Sequence, residues 1–102
     1  MTAYVLSEVE ILDRDSVAAY KQEAPLSIAK YGGTYLARDA VPGAFEGGFN
    51  PEERIVLIAF PDEAAARAWY NSPEYQAAIT TANGGLRRRL FSFAGLPEAP
   101  KQ

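Results

Sequence analysis

The apolar run Ile55–Phe60 is the feature that most restricts the possible folds. Every residue in it is apolar, without the polar and apolar alternation of a half-exposed strand. Such a run is typical of a strand inside a sheet that is covered on both faces. It is also far too short to span a bilayer. The sequence therefore predicts a central strand over Arg54–Phe60, and something must cover its second face.

Three further strands are predicted around this one. Tyr4–Ile11 is rich in β-branched residues and partly alternates, so that Val9 lies on one face and Glu8 and Glu10 lie on the other. Thr34–Arg38 reads as a short strand followed by a long loop that contains several glycines. Leu90–Ala94 reads as the last strand.

Helical regions separate these strands. Asp13–Ser16 offers N-caps for a helix that stops at Gly32-Gly33, and Pro25 predicts a kink or two helical pieces within it. A second helix starts at Pro61-Asp62. A third starts at Ser72-Pro73-Glu74, with Ser as cap and Pro in the first turn.

The element order indicates an α+β, ferredoxin-like βαββαβ fold. Its four-stranded antiparallel sheet would carry helices on one face and leave the other face open. An apolar open face of this kind favours pairing with a second copy, sheet against sheet. We expect one domain over residues 1–95 and a proline-containing surface tail over 96–102.

Composition removes several function classes. The 102 residues include no Cys and no His, so there is no disulfide, no thiolate nucleophile, no Ser-His-Asp triad and no imidazole ligand. Met1 is the only Met, which also argues against haem, and we expect no cofactor. The net charge of −3 argues against binding to nucleic acid. Without a basic, signal-like start, the chain is expected to be cytoplasmic and not attached to a membrane.

The sequence resembles a family still catalogued by number, domain of unknown function 1330 (DUF1330), in the dimeric α/β-barrel superfamily. The resemblance spans Tyr4 to Gly95. It is carried by a set of short motifs: Ala3-Tyr4-Val5, Tyr20, Pro25, Tyr31-Gly32-Gly33, Arg38, Phe45-Glu46-Gly47, Phe60-Pro61, Ala68-Trp69-Tyr70 and Ser72-Pro73-Glu74-Tyr75-Gln76.

This resemblance implies a homodimer whose two sheets form a barrel, with a small cavity in each subunit between sheet and helices. It implies no settled reaction, since related barrels include cofactor-free monooxygenases, lactone isomerases and haem enzymes. The chain departs from the family pattern twice. Ala82 stands about where relatives tend to carry an Arg, and Ala94-Gly95 stands where they often have Glu-Gly.

Two carboxylates are the candidate catalytic residues. Glu8 projects toward the open face, where a dimer partner could exclude water from its carboxylate. This desolvation could raise the pKa of Glu8 enough for it to act as a base. The alternatives are an ion pair, a hydrogen bond at the dimer seam, or simple exposure, and they apply to Glu10 as well. Glu46 lies in the long loop, and its alternative role is to hold a turn through backbone N–H groups.

The candidate ligand-binding residues are Tyr20, Arg38, Tyr70 and Tyr75. The Arg38 fork suits an anionic substrate, or else a salt bridge to Glu46 or a partner subunit. The tyrosine hydroxyls could orient a ligand in an apolar pocket, or simply end an aromatic core stripe.

Two other features are given structural interpretations. Ser72 has no base nearby and is expected to be a helix cap. The run Arg87-Arg88-Arg89 is expected to be a solvated or dimer-edge cluster, because the aromatic-basic motifs of RNA-binding domains are absent.

Two functional hypotheses follow. The first is a dimeric barrel that binds a small, partly apolar molecule, as a cofactor-free isomerase or monooxygenase-like enzyme with a carboxylate base. The second is a non-catalytic small-molecule-binding or stress-related interaction protein. Convergent polar groups around a closed cavity would favour the enzyme.

Overall fold

The structure, a computed structural model, describes residues 1–97 as four strands and three helices. In chain order these are β1 (Ala3–Ile11), α1 (Arg14–Lys30), β2 (Thr34–Ala40), β3 (Glu53–Phe60), α2 (Glu63–Tyr70), α3 (Pro73–Ala82) and β4 (Leu86–Ala94). Most of the expected tail, residues 98–102, lies outside the described residues.

The strands form one antiparallel sheet in the order β2-β3-β1-β4. The ferredoxin-like prediction is confirmed, and β3 is an inner strand as its apolar run indicates. The register places Ser7 opposite Val56 on one neighbour and Leu90 on the other, which defines the face that the helices cover. Glu8 lies opposite Ile55 and Arg89 on the other face.

Helix α1 begins and ends as its sequence predicts. The Asp13 carboxylate accepts hydrogen bonds from the backbone N–H groups of Asp15 and Ser16. At the other end, Gly32 has φ +83° and its N–H donates to Ala29 O, while the N–H of Gly33 donates to the carbonyl of Ile28. This is a Schellman ending, whose left-handed position strongly favours glycine.

Pro25 does not divide this helix. The expectation of two helical pieces is wrong, because α1 runs unbroken from Arg14 to Lys30 with Pro25 inside it. A proline at this position leaves the carbonyl of Lys21, four residues earlier, without its helical donor. The Arg38 side chain supplies that hydrogen bond at 2.9 Å, which removes part of the cost of an internal proline.

The core lies between the sheet and the helices. Val5, Ile58 and Phe60 from the sheet pack against Trp69 and Tyr75 from α2 and α3. No helix within residues 1–97 is long and apolar enough to cross a membrane.

No helix in the described part of the chain covers the opposite face. Phe91 and Phe93 on β4 remain 42% and 46% exposed there, and Leu36 on β2 remains 55% exposed. The apolar side chains of β3 on this face are therefore not covered by any helix or strand of residues 1–97.

Strand β4 starts four residues earlier than Leu90, the predicted start, and so contains the whole arginine run. Arg87 and Arg89 form ion pairs with Glu10 and Glu8 on β1, each at 3.2 Å. Cross-strand pairing of opposite charges contributes to the stability of this part of the sheet.

Candidate functional site

A small cavity lies between the covered face of the sheet and helices α1 and α3. Its volume is about 70 Å³, enough for a few water molecules or part of a small organic molecule. Most of its wall is apolar. The apolar lining residues are Val9, Ile11, Ala24, Ile28, Val56, Ile58, Trp69, Leu86 and Leu90.

Arg88 is the charged group in the inner wall of this cavity. It lies opposite Val9 in the β1–β4 ladder, so its side chain points to the helix-covered face, away from those of Arg87 and Arg89. Its Nη1 donates to the hydroxyl of Tyr20 at 2.8 Å and also to that of Tyr75. The expectation that the whole arginine run is a solvated or dimer-edge cluster is wrong for Arg88, because strand alternation turns it inward.

The two tyrosine hydroxyls lie 3.1 Å apart and complete this cluster. Tyr20 comes from α1 and Tyr75 from α3. Tyr75 is only 1% exposed, and its ring centroid lies 4.1 Å from that of Trp69. Burial, together with the nearby Tyr20, raises the pKa of the Tyr75 hydroxyl above its ordinary value, and Arg88 opposes this only in part. Tyr75 is therefore a neutral hydrogen-bonding group at physiological pH.

Arg38 stands at the mouth of the cavity, on β2. The hydrogen bond to the Lys21 carbonyl holds it, and its guanidinium carbon lies 4.9 Å from the ring centroid of Tyr35. Burial raises the pKa of Tyr35, although Arg38 acts in the opposite direction. The Arg38–Glu46 salt bridge considered from the sequence is not among the ion pairs of the described residues.

Asp39 is the carboxylate that lines the cavity. It forms an ion pair with Lys21 at 3.3 Å, and its side chain is about half exposed (51%). Its backbone φ of +52° lies in the left-handed region, which aspartate adopts more often than most residues other than glycine. Backbone conformations of this kind occur often near binding and catalytic sites.

The cavity unites three of the residues predicted from the sequence, namely Tyr20, Arg38 and Tyr75. Tyr70 lies elsewhere, at a more open depression between α2 and β4 that Arg67 also lines. Glu8 pairs with Arg89 on the open face of the sheet, and Glu46 lies exposed in the β2–β3 loop. The catalytic roles of Glu8 and Glu46 stay predictions.

Four polar residues of the cavity were missed by sequence reasoning: Ser7, Lys21, Asp39 and Arg88. A signal existed for Arg88, because extending the period of two backward from Leu90 places it on the covered face. Pro25 gave a weaker signal, since the carbonyl that it leaves free needs a donor. Nothing in the sequence indicates Asp39, whose strand has register shifts between Tyr35 and Ala40.

Groups of three or more carboxylates that could hold a metal ion do not occur in residues 1–97.

The model of a protein family described as domain of unknown function (DUF1330) matches residues 2–96. The comparison with curated proteins gives no significant match.

Three solved structures illustrate the likeness of fold. A protein of unknown function from Rhodopseudomonas palustris has a TM-score of 0.74 at 15% identity, over 95% of this chain and 84% of the other. SnoaB, a cofactor-independent oxygenase from Streptomyces nogalater, has a TM-score of 0.65 at 10% identity, over 98% of both chains. A dimeric ferredoxin-like protein of unknown function from Jannaschia sp. CCS1 has a TM-score of 0.63 at 15% identity, over 93% of this chain and 100% of the other.

Proposed function

The chain belongs to the DUF1330 family, and from that premise we propose that its cavity binds a small, partly apolar molecule through a negatively charged oxygen. The observation that carries the proposal is the Arg88 guanidinium. It lines the cavity, it is half-buried, and no carboxylate of residues 1–97 lies within 4 Å of it.

A half-buried guanidinium without a carboxylate partner is an unusual arrangement. Arginine stays protonated in proteins, so the charge persists at every physiological pH. Removing a charge from water is costly unless an opposite charge or several hydrogen bonds compensate for it. Tyr20 and Tyr75 provide neutral acceptors, and their ring centroids lie 5.7 and 5.4 Å from the guanidinium carbon. Neither supplies a negative charge, which a ligand anion would.

The free hydrogen-bond donors point to the same ligand class. Both described hydrogen bonds of Arg88 use Nη1, so its Nη2 and Nε groups are available to a further acceptor. The contact between the hydroxyls of Tyr20 and Tyr75 uses one of their two protons. The other proton is available to the ligand. A carboxylate, a phenolate or an enolate would fit such a set of donors.

The same donors would also support catalysis. In a cofactor-free isomerase or monooxygenase-like enzyme, a base removes a proton from carbon, and the resulting negative charge moves to an oxygen. Arg88 and a tyrosine hydroxyl would stabilise that oxygen. The fold likeness to SnoaB, a cofactor-independent oxygenase, supports this extension. Asp39 is a candidate base inside the cavity, beside Glu8 and Glu46 predicted from the sequence.

Binding can be tested with benzoate and its neutral analogue benzamide. Trp69 is the only tryptophan of the chain and lines the cavity, so its fluorescence responds to a bound ligand. Because Trp69 also lines the depression beside Tyr70, the Arg88 variants establish that the ligand lies in this cavity. We expect benzoate to bind more tightly than benzamide. Arg88→Met should weaken benzoate binding by about 10-fold to 100-fold, since hydrogen bonds to charged groups contribute roughly 1.5–3 kcal/mol.

Arg89→Met is the matched control, because its side chain lies on the other face of the same strand; it should leave benzoate binding unchanged. Arg88→Lys keeps the positive charge but loses the two parallel donors of the guanidinium, so it should bind benzoate with intermediate affinity. It replaces Arg88→Met in this test if Arg88→Met does not fold. Equal binding of benzoate and benzamide by the wild type, or wild-type benzoate affinity in folded Arg88→Met, would overturn the proposal.

We also propose that two copies form a homodimer through the open sheet face. The exposed aromatic rings of Phe91 and Phe93 and the apolar side chains of β3 on that face support this, as does the dimeric relative of the same fold. A cytoplasmic location stays a prediction.

A further inference from the structure

We infer that the molecule bound in this cavity carries two negative groups, one held by Arg88 and the other by Arg38 at the mouth. This inference rests on the proposed function, because it assigns the first negative group to the Arg88 site. It goes further by naming the ligand class, a small dicarboxylate or a similar dianion with an apolar body.

The charge of the cavity wall supports a second anionic group in the ligand. Three cations line it, Lys21, Arg38 and Arg88, against the single carboxylate of Asp39. Lys21 and Asp39 pair with each other at 3.3 Å and so neutralise each other. Neither arginine has a carboxylate within 4 Å among residues 1–97. Two cationic groups therefore remain in the wall, although the chain as a whole carries a net charge of −3.

These two cations approach the cavity from opposite sides. Arg38 is on β2 and Arg88 is on β4, the two edge strands of the sheet. Three strand spacings separate their backbones, roughly 14 Å. Both side chains hydrogen-bond to neighbouring residues of α1, since Arg38 donates to the Lys21 carbonyl and Arg88 donates to the hydroxyl at the end of the Tyr20 side chain. One small molecule in the cavity would have a guanidinium on either side.

Arg38 is held in position without a ligand. Pro25 leaves the Lys21 carbonyl free to accept its hydrogen bond, and the guanidinium carbon lies 4.9 Å from the ring centroid of Tyr35. The described hydrogen bond uses only Nη2. Arg38 therefore keeps donors for an anion, and part of the entropy cost of ordering it is already met within the protein.

The lining between the two arginines determines the body of the ligand. Val56, Ile58 and Ile28 form part of an apolar wall, which favours a hydrocarbon or an aromatic ring over a sugar or a phosphate-rich group. The combination fits an aromatic or short aliphatic dicarboxylate.

The test compares benzoate with two dianions, rigid isophthalate and flexible adipate, by Trp69 fluorescence at constant ionic strength. We expect at least one dianion to bind the wild type about tenfold more tightly than benzoate. Arg38→Met should remove this gain, so that it weakens the dianion about tenfold more than it weakens benzoate. Arg88→Met should weaken benzoate and the dianion alike. Arg67→Met, an exposed arginine of α2 outside this cavity, is the matched control and should change neither.

The possible failures are distinguishable. If benzoate binds through Arg88 but neither dianion binds more tightly, the second anionic group is refuted and the proposed function stands. The inference is equally refuted if Arg38→Met weakens benzoate as much as it weakens the dianions. If no anion binds the wild type, both the inference and the proposed function fail.

Discussion

Replacing Gly33 with alanine should destabilise this protein strongly, because the first residue after the turn between α1 and β2 has no room for a side chain. A Cβ at Gly33 would lie 2.6 Å from Ile28 Cγ2 and 2.7 Å from Phe60 Cε1. Carbon atoms in contact normally stay about 3.5–4.0 Å apart. Neither neighbour can easily withdraw, since Ile28 and Phe60 are 3% and 1% exposed.

The expected magnitude follows from the overlap. Forcing an extra methyl group into a well-packed core typically costs about 1–3 kcal/mol. For a domain of this size, about 2 kcal/mol corresponds to a decrease in Tm of roughly 8–16 °C. Ile28 also lines the cavity, so its displacement should weaken benzoate binding as well.

Gly43 offers a matched control. Nothing lies within 4 Å of a Cβ placed there, and neither Gly33 nor Gly43 has a positive φ. Gly43→Ala should therefore leave the free energy of unfolding unchanged or raise it by up to about 1 kcal/mol, through the lower entropy of the unfolded chain. Both variants are compared by urea unfolding at one protein concentration, because any dimer formation makes stability concentration-dependent.

A double variant identifies the cause. Phe60→Leu removes the ring atoms that a Cβ at Gly33 would meet, so Gly33→Ala should cost less in the Phe60→Leu background, by at least about 0.5 kcal/mol. The steric reasoning is refuted if Gly33→Ala unfolds at the same urea concentration as Gly43→Ala. Strictly additive effects of Gly33→Ala and Phe60→Leu would refute the role of Phe60 in the clash.

Two further predictions concern assembly and pH. Leu57→Glu places a charge on the open face and should yield a folded monomer by analytical ultracentrifugation, whereas Leu26→Glu on the exposed side of α1 should stay dimeric; a dimer in Leu57→Glu would exclude the face-to-face arrangement. The pKa of Tyr75 is raised in the folded state, so its contribution to stability is complete below the unfolded pKa of about 10 and is lost as the pH rises above it, by about 1.4 kcal/mol per pH unit. Tyr75→Phe should therefore lose less stability between pH 9 and pH 11 in urea unfolding than the wild type, and equal losses would contradict this assignment.

The order of elements could be predicted from the sequence because its signals are local. Apolar periodicity, the caps at Asp13 and Ser72, and the glycine pair after Tyr31 each act within a few residues, and the structure confirms the βαββαβ order and the capping. Local signals do not fix where a strand ends. The start of β4 at Leu86 depends on pairing with β1, which lies about 75 residues away in the chain.

The candidate site also depends partly on local sequence signals and partly on long-range packing. The sequence alone predicts three residues of the site, Tyr20, Arg38 and Tyr75. Aromatic residues at helical spacing and a lone arginine at the end of a strand can both be recognised from the order of residues in the chain. What brings them to one cavity is the packing of α1 and α3 over the sheet, together with the inward turn of Arg88. Local sequence patterns are enough to show which residues form strands and helices, and the composition is enough to show which chemistries the chain lacks. The pairing of charges, in contrast, depends on the folded chain: Glu8 and Glu10 pair with arginines on the open face, and Arg88 on the covered face contacts two neutral hydroxyls. A charge is paired or unpaired according to its neighbours in space, and the chain supplies those neighbours from segments far apart in the sequence.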